Sequence, residues 1–283
     1  MHFTVREPSS AETPVVVEIP HAGLHVPPQF LPPIVAPARA LGRDADLFVD
    51  RLYDGAAAEG ATSIVAHVSR FAVDLNRAET DIDADAVEGA PSQPRAPRGL
   101  IWRLASDGSN VLARPLTRAD FEARLAEVYR PYHAELRRII DHKVAQFGFA
   151  VVLAAHSMPS PGKGPVSAPT ASRTARDERE SSGADVVPGT RGRTSAAPCF
   201  IDAVDAHARA QGWTVVHDDP YKGGFTTQHY GRPSANVHAV QVELARRLYM
   251  NEALLTPDGA TFETVRAWCR ALVAKLGSVR PPG

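Results

Sequence analysis

Cysteine is scarce in this chain: Cys199 and Cys269 are the two in 283 residues, and neither stands in a Cys-x-x-Cys pattern. A disulfide framework and a thiolate zinc cluster are therefore excluded, and a reducing compartment is the expectation. Long apolar runs are missing as well. No stretch approaches the ~20 residues a membrane span needs, and the opening segment lacks the apolar core of a secretory leader. Charge of one sign does not dominate either. A net charge of -1 sets up no strong field to recruit nucleic acid or an anionic membrane, although local arginine clusters can still bind a small anion. These absences predict a soluble, cytoplasmic protein. What is present is ordinary globular composition, 44% hydrophobic and 22% charged, enough to bury a large core. Internal repeats are absent, and one domain over residues 1–283 is expected.

Short apolar runs rich in β-branched residues predict buried strands at 15–19, 62–68, 149–155, 213–217 and 237–244. Helical spacing is read over 44–59, from 117 onward, over 201–210 and over 262–276. Thr117 and Asp120 form a capping-box pattern, with Asp in place of the usual Glu. Pro131 should kink or split the helix that follows, because it lacks an N–H and crowds the preceding turn. Strands alternating with helices predict an α/β fold whose chemistry lies near the carboxyl ends of the strands. Residues 159–183 are rich in Pro, Ser, Gly and charge, with little to pack, and are expected to form a flexible loop.

Five constellations can carry chemistry. The run ending in Pro20-His21-Ala22-Gly23 brings a histidine to the end of a buried strand, and the run ending in His156-Ser157 does the same. Imidazole is a common zinc ligand, while a histidine bonded to turn backbone is the plainer alternative. His25 reads as a loop residue among prolines. Catalytic zinc usually takes three protein ligands, so a carboxylate should complete the set, and Asp44 or Asp46 can supply it. Either Asp can instead serve as a helix cap. Next, Ser69-Arg70 and Asp74-Leu75-Asn76-Arg77 offer guanidinium forks and an amide suited to a carboxylate, while a solvated surface pair of arginine and aspartate is the plainer alternative. Asp74 can hold an arginine or a backbone turn in place.

Glu243 is a lone acid in the apolar run Val240 to Leu244. Burying it unpaired is costly, so a partner such as Arg246 or Arg247, or a role as general base, is expected. Finally, Lys222-Gly223-Gly224 and His229-Tyr230-Gly231-Arg232-Pro233 read as a loop in which backbone comes close to something. Lys222, His229 and Arg232 lend it positive charge suited to an anionic substrate, while a plain surface loop is the reading composition alone favours. Ser157 is not read as a nucleophile, because no Gly-x-Ser-x-Gly elbow surrounds it.

In this order the motifs, together with Val49-Asp50-Arg51-Leu52-Tyr53-Asp54, Tyr129-Arg130-Pro131-Tyr132-His133 and Val237-His238-Ala239-Val240-Gln241-Val242-Glu243, resemble the N-formylglutamate amidohydrolase family, related to zinc carboxypeptidases and aspartoacylases. The resemblance implies a three-layer α/β/α sandwich, zinc-carboxypeptidase-like, with a mixed, mainly parallel sheet and one Zn2+. It implies hydrolysis of N-formyl-L-glutamate, a small anionic N-acyl amino acid, to formate and glutamate during histidine degradation. His21, Asp46 and His156 resemble the metal ligands, with Asp44 the alternative to Asp46. Glu243 resembles the general base, and Arg70 an arginine facing the scissile carbonyl. Asn76 and Arg77 resemble the pair that holds a substrate carboxylate, joined here by Lys222, Tyr230 and Arg232. This chain departs from the family pattern at Ala155 and near Thr190, where Asp is usual, and around Trp102-Arg103. A deacylase or carboxypeptidase-like hydrolase acting on another N-acyl amino acid, and a binding protein without turnover, are the rival readings.

Overall fold

The computed structural model describes residues 1–90, 97–160 and 183–281. The segment read as a flexible loop at 159–183 falls almost wholly outside these residues. Six strands form one mixed sheet in the order β1-β3-β2-β4-β6-β5: β1 (Phe3–Arg6), β2 (Val15–Ile19), β3 (Thr62–Ala66), β4 (Ala150–Met158), β5 (Val186–Gly189) and β6 (Val237–Ala245). Helices lie on both sides of it, in an α/β fold. β2, β4 and β6 run parallel, and β5 is antiparallel to β6. β2, β4 and β6 are buried along their whole length, as near-continuous Val, Leu and Ala runs should be in a sheet covered on both faces. The chain moves from β2 to β3 on one side and then crosses to β4 on the other. The β2–β4 pair is thus the switch point, beyond whose carboxyl ends open α/β sheets bind ligands.

Two compact units are distinguished along the chain: residues 1–4, 20–47 and 65–138 in one, and residues 5–19, 48–64 and 139–283 in the other. No described helix is long and apolar enough to cross a membrane.

Four expectations need correction. The helix read over 44–59 is broken into α1 (Ala38–Asp44), α2 (Val49–Leu52) and a 3-10 turn (Ala56–Glu59). Ala45 is extended, and the Asp46 N–H donates to the His21 carbonyl at 2.9 Å instead of continuing the helix. The run 213–217 forms no strand. Val215 makes one isolated bridge to Val186, alongside a four-residue β5 whose Pro188 has no N–H to give. β5 itself and the N-terminal β1 were not anticipated, because each is four residues long. Lastly, β4 does not stop at His156 but runs two residues further, so the histidine projects from the strand rather than from its end.

The helix after Thr117 starts as its sequence suggests, but it runs on through Pro131. Thr117 and Asp120 make the reciprocal capping box that opens α3 (Arg118–Arg124). A π-turn (Leu125–Tyr129) precedes α4 (Arg130–Phe147), with the Arg130 N–H reaching back to Leu125. That widening absorbs the missing N–H of Pro131 without ending the helix. Further helices are α5 (Pro198–Ala210), α6 (Phe225–Tyr230) and α7 (Gly259–Ser278).

Arg124 is 1% exposed, and no carboxylate among the described residues pairs with it. Its guanidinium donates instead to the carbonyls of Ala72 (3.1 Å), Asp120 (2.7 Å) and Phe30 (3.0 Å), over the Phe30 ring. Burial pushes its pKa down to about 10, which still leaves it charged at neutral pH. It therefore ties the last turn of α3 to two turns, one of which carries Asp74. Arg124→Met should strip these carbonyls of their donors and destabilise the protein by about 2–4 kcal/mol. A urea unfolding midpoint equal to wild type would contradict this.

Candidate metal centre

The loop after β2 is shaped by a glycine. A Cβ at Gly23 would sit 2.3 Å from the His67 carbonyl oxygen, so only glycine lets this loop lie on the backbone that follows β3. The His25 N–H donates to His67 O (2.9 Å), and the Ser69 N–H donates back to His25 O (2.7 Å). His25 is thus a loop residue paired through its backbone. This lacing brings His21 over the turn that begins at Ser69.

Asp74 is the centre of that turn and is fully buried. Its Oδ1 accepts from His21 Nε2 (2.8 Å) and from the Asn76 N–H (2.9 Å). Its Oδ2 accepts from Arg70 Nη2 (2.8 Å) and from the Trp102 indole N–H (2.9 Å). Burial alone would raise its pKa. Arg70, then His21 and Arg77, instead hold the carboxyl well below the usual carboxylate range. As an anion Asp74 can only accept, so His21 must carry its proton on Nε2. That tautomer leaves Nδ1 as the nitrogen with a lone pair to offer, and Nδ1 faces Asp46 Oδ2 at 3.6 Å.

Arg70 stacks 4.5 Å over the Trp102 ring and also donates from Nη1 to the Asp44 carbonyl (3.3 Å). Burial disfavours its charge, but Asp74 and Asp46 outweigh that and raise its pKa. Asp44 itself is engaged elsewhere: its carboxylate accepts from the Ser106 N–H (2.8 Å), the Ser106 hydroxyl and Arg43 Nε (3.1 Å). Arg77 spends Nε on the Arg98 carbonyl (3.0 Å), while its own carbonyl accepts from the Tyr129 hydroxyl (2.8 Å).

On the sheet, His156 and Glu243 are register partners on β4 and β6, and Ala154 and Gln241 are partners one row back, beside Glu18 of β2. Alternation puts all of these on one face. Both His156 and Glu243 are buried, and Glu243 Oε1 accepts from the Gln241 side-chain amide (2.8 Å). Arg247, one of the arginines weighed as a partner for Glu243, pairs with Asp185. α6 packs over β4 and β6, with Thr226 donating to Glu18 at 3.3 Å. Tyr230 is buried in α6, while Lys222 and Arg232 are exposed.

Among the described residues, one group of histidines and acids has metal-ligand proximity. Ligand atoms of His21, Asp46 and His156, all buried, lie within 4.8 Å of one another. Two imidazoles and one carboxylate match a zinc donor set of three protein ligands. Asp46, not Asp44, is the acid in the group. Sequence reasoning named these three but missed the Asp74–His21 bond, Trp102, Ser106 and Gln241. For Asp74 the signal was its place beside Asn76-Arg77, which suggested an arginine partner but not a histidine 53 positions away.

The model of the N-formylglutamate amidohydrolase family matches residues 13–250. The chain is 34% identical to an N-formylglutamate deformylase of Pseudomonas aeruginosa, over 93% of this chain and 92% of that protein. It is 33% identical to an N-formylglutamate deformylase of Pseudomonas putida, over 84% and 82%. Among solved structures, an N-formylglutamate amidohydrolase from Ralstonia eutropha JMP134 superposes with a TM-score of 0.84 at 30% identity, covering 98% of this chain and 97% of that one. The sequence motifs, the fold and the His-Asp-His group agree with these likenesses, and the chain belongs to the N-formylglutamate amidohydrolase family.

Proposed function

We propose that this protein is a zinc-dependent amidohydrolase that cleaves the amide bond of N-formyl-L-glutamate to formate and glutamate, a cytoplasmic step of histidine degradation. The observation that carries this reading is the buried group of His21, Asp46 and His156, in a chain whose relatives are named for that reaction. His21, through Nδ1, Asp46 and His156 would hold the ion. A divalent zinc in such a site supplies Lewis acidity toward a carbonyl and toward water.

The chain's own groups do the rest. Glu243, beside His156 in register, accepts the proton of the attacking water and delivers it to the leaving amine. Arg70, held by Asp74 and stacked on Trp102, offers N–H groups on Nη1 and Nη2 to the negative charge that develops on the carbonyl oxygen. Asn76 and Arg77, with Lys222, Tyr230 and Arg232, hold the substrate carboxylates. Their forks and points of charge suit a dianionic amino acid. Binding both ends of a small substrate in this way makes the attack close to unimolecular.

The protein loaded with zinc should release formate from N-formyl-L-glutamate, and a chelator should abolish it. Glu243→Gln should keep its metal and lose ~10²–10⁴-fold in kcat. Chelator-insensitive hydrolysis would sink the metal reading, and normal turnover in Glu243→Gln would sink the base. A panel of N-acetyl and N-formyl amino acids then decides between formylglutamate and a related acyl substrate. Asp74→Asn replaces an obligate acceptor with a group that also donates, and it should weaken zinc affinity by ~10–100-fold in a chelator competition. Unchanged affinity would show that His21 needs no such support.

A further inference from the structure

Gln241 lies two residues before Glu243 on the same face of β6, 3% exposed. Its amide orientation is decided by chemistry. The Gly224 N–H, which can only donate, reaches Gln241 Oε1 at 2.8 Å. The amide nitrogen is therefore on the other side, where it donates to Glu243 Oε1 at 2.8 Å. One side chain thus joins the Lys222-Gly223-Gly224 loop to Glu243.

The loop has little freedom at the point where it makes this contact. Gly189, the β5 register partner of Gln241, has no Cβ, and one there would come within 2.6 Å of the Gly223 nitrogen and 2.9 Å of the Tyr221 oxygen. The Arg191 N–H donates to the Lys222 carbonyl at 2.9 Å. Gly223 has φ +97, and a Cβ on it would meet Thr227 Cγ2 of α6 at 2.9 Å. Glycines at 189 and 223 let the loop settle onto the sheet, and the Gly224 N–H then points at Gln241.

We propose that Gln241 is a positioning residue that couples the seating of the 222–224 loop to the orientation of the Glu243 carboxylate. The second half of this rests on Glu243 acting as the base; the first half does not. When the loop is seated, Gln241 holds Glu243 by Oε1 in one rotamer. Without the Gly224 N–H, the amide loses the contact that fixes its orientation, and with it the fixed donor to Glu243.

The test uses two variants and two readouts on the full chain. Gln241→Met keeps the volume and removes the contacts to Gly224 and Glu243. It should speed amide hydrogen exchange over residues 222–226 at least tenfold and cut kcat for N-formyl-L-glutamate by up to ~100-fold, with KM within threefold of wild type. Gln241→Glu keeps an acceptor for Gly224 but loses the fixed donor to Glu243. It should leave exchange at 222–226 near wild type while kcat still falls. Installed in Glu243→Asp, whose carboxylate is too short to meet residue 241, Gln241→Met should cost little further. Unchanged exchange in Gln241→Met, or costs that multiply fully in the double variant, would overturn the inference. Normal turnover in Glu243→Gln would instead remove the base reading, and the exchange measurement would still decide whether Gln241 holds the loop.

Discussion

A carboxylate shut away from water, Asp74, is the constraint on which the surrounding structure depends. Five N–H donors from four residues converge on it: His21, Arg70 through Nε and Nη2, Trp102 and the Asn76 backbone. Hydrogen bonds to charged groups contribute about 1.5–3 kcal/mol each, and removing the acceptor leaves buried donors unsatisfied. The same anion does three things. It sets the tautomer of His21, it turns Arg70 flat against an indole, and it closes the turn that presents Asn76 and Arg77. No one of these can shift without disturbing the others. The turn is in turn held from behind by Arg124 on the Ala72 carbonyl and by the Asp74 N–H on Leu100.

The division of labour follows from local chain chemistry. Gly23 lets the His21 loop lie on the backbone after β3. The helix that ends at Asp44 gives way so that Asp46 can bond back to His21, while Asp44 stays behind as an anchor for Ser106. Glu243 and His156 need no loop at all. They are adjacent because β4 and β6 are parallel and in register. Loops thus supply the parts most sensitive to insertion and exchange, and the sheet holds His156 and Glu243 rigidly side by side.

Much of this was legible from residue order. Runs of Val, Ile and Leu marked β2, β3, β4 and β6, and a histidine at or near two of them marked the site. A lone acid in β6 marked Glu243. What stayed hidden depends on distance or on shortness. The Asp74–His21 pair spans 53 positions and the Asp74–Trp102 pair 28, so neither leaves a local pattern. β1 and β5 are too short to show alternation. The break at Asp46 was masked because Leu47, Val49, Leu52 and Tyr53 keep a helical rhythm across it. Gln241 was quoted within a motif but not weighed, since a polar residue in a strand gains meaning only when the loop that meets it is known.

The most direct test of the account is a crystal structure of the zinc-soaked protein with data on both sides of the zinc absorption edge. One anomalous peak bonded to His21 Nδ1, an Asp46 carboxylate oxygen and His156, with His21 Nε2 still on Asp74, is the predicted result. A zinc ion on Asp44, or coordination through His21 Nε2 with the Asp74 bond broken, or no ion at this group, would contradict it.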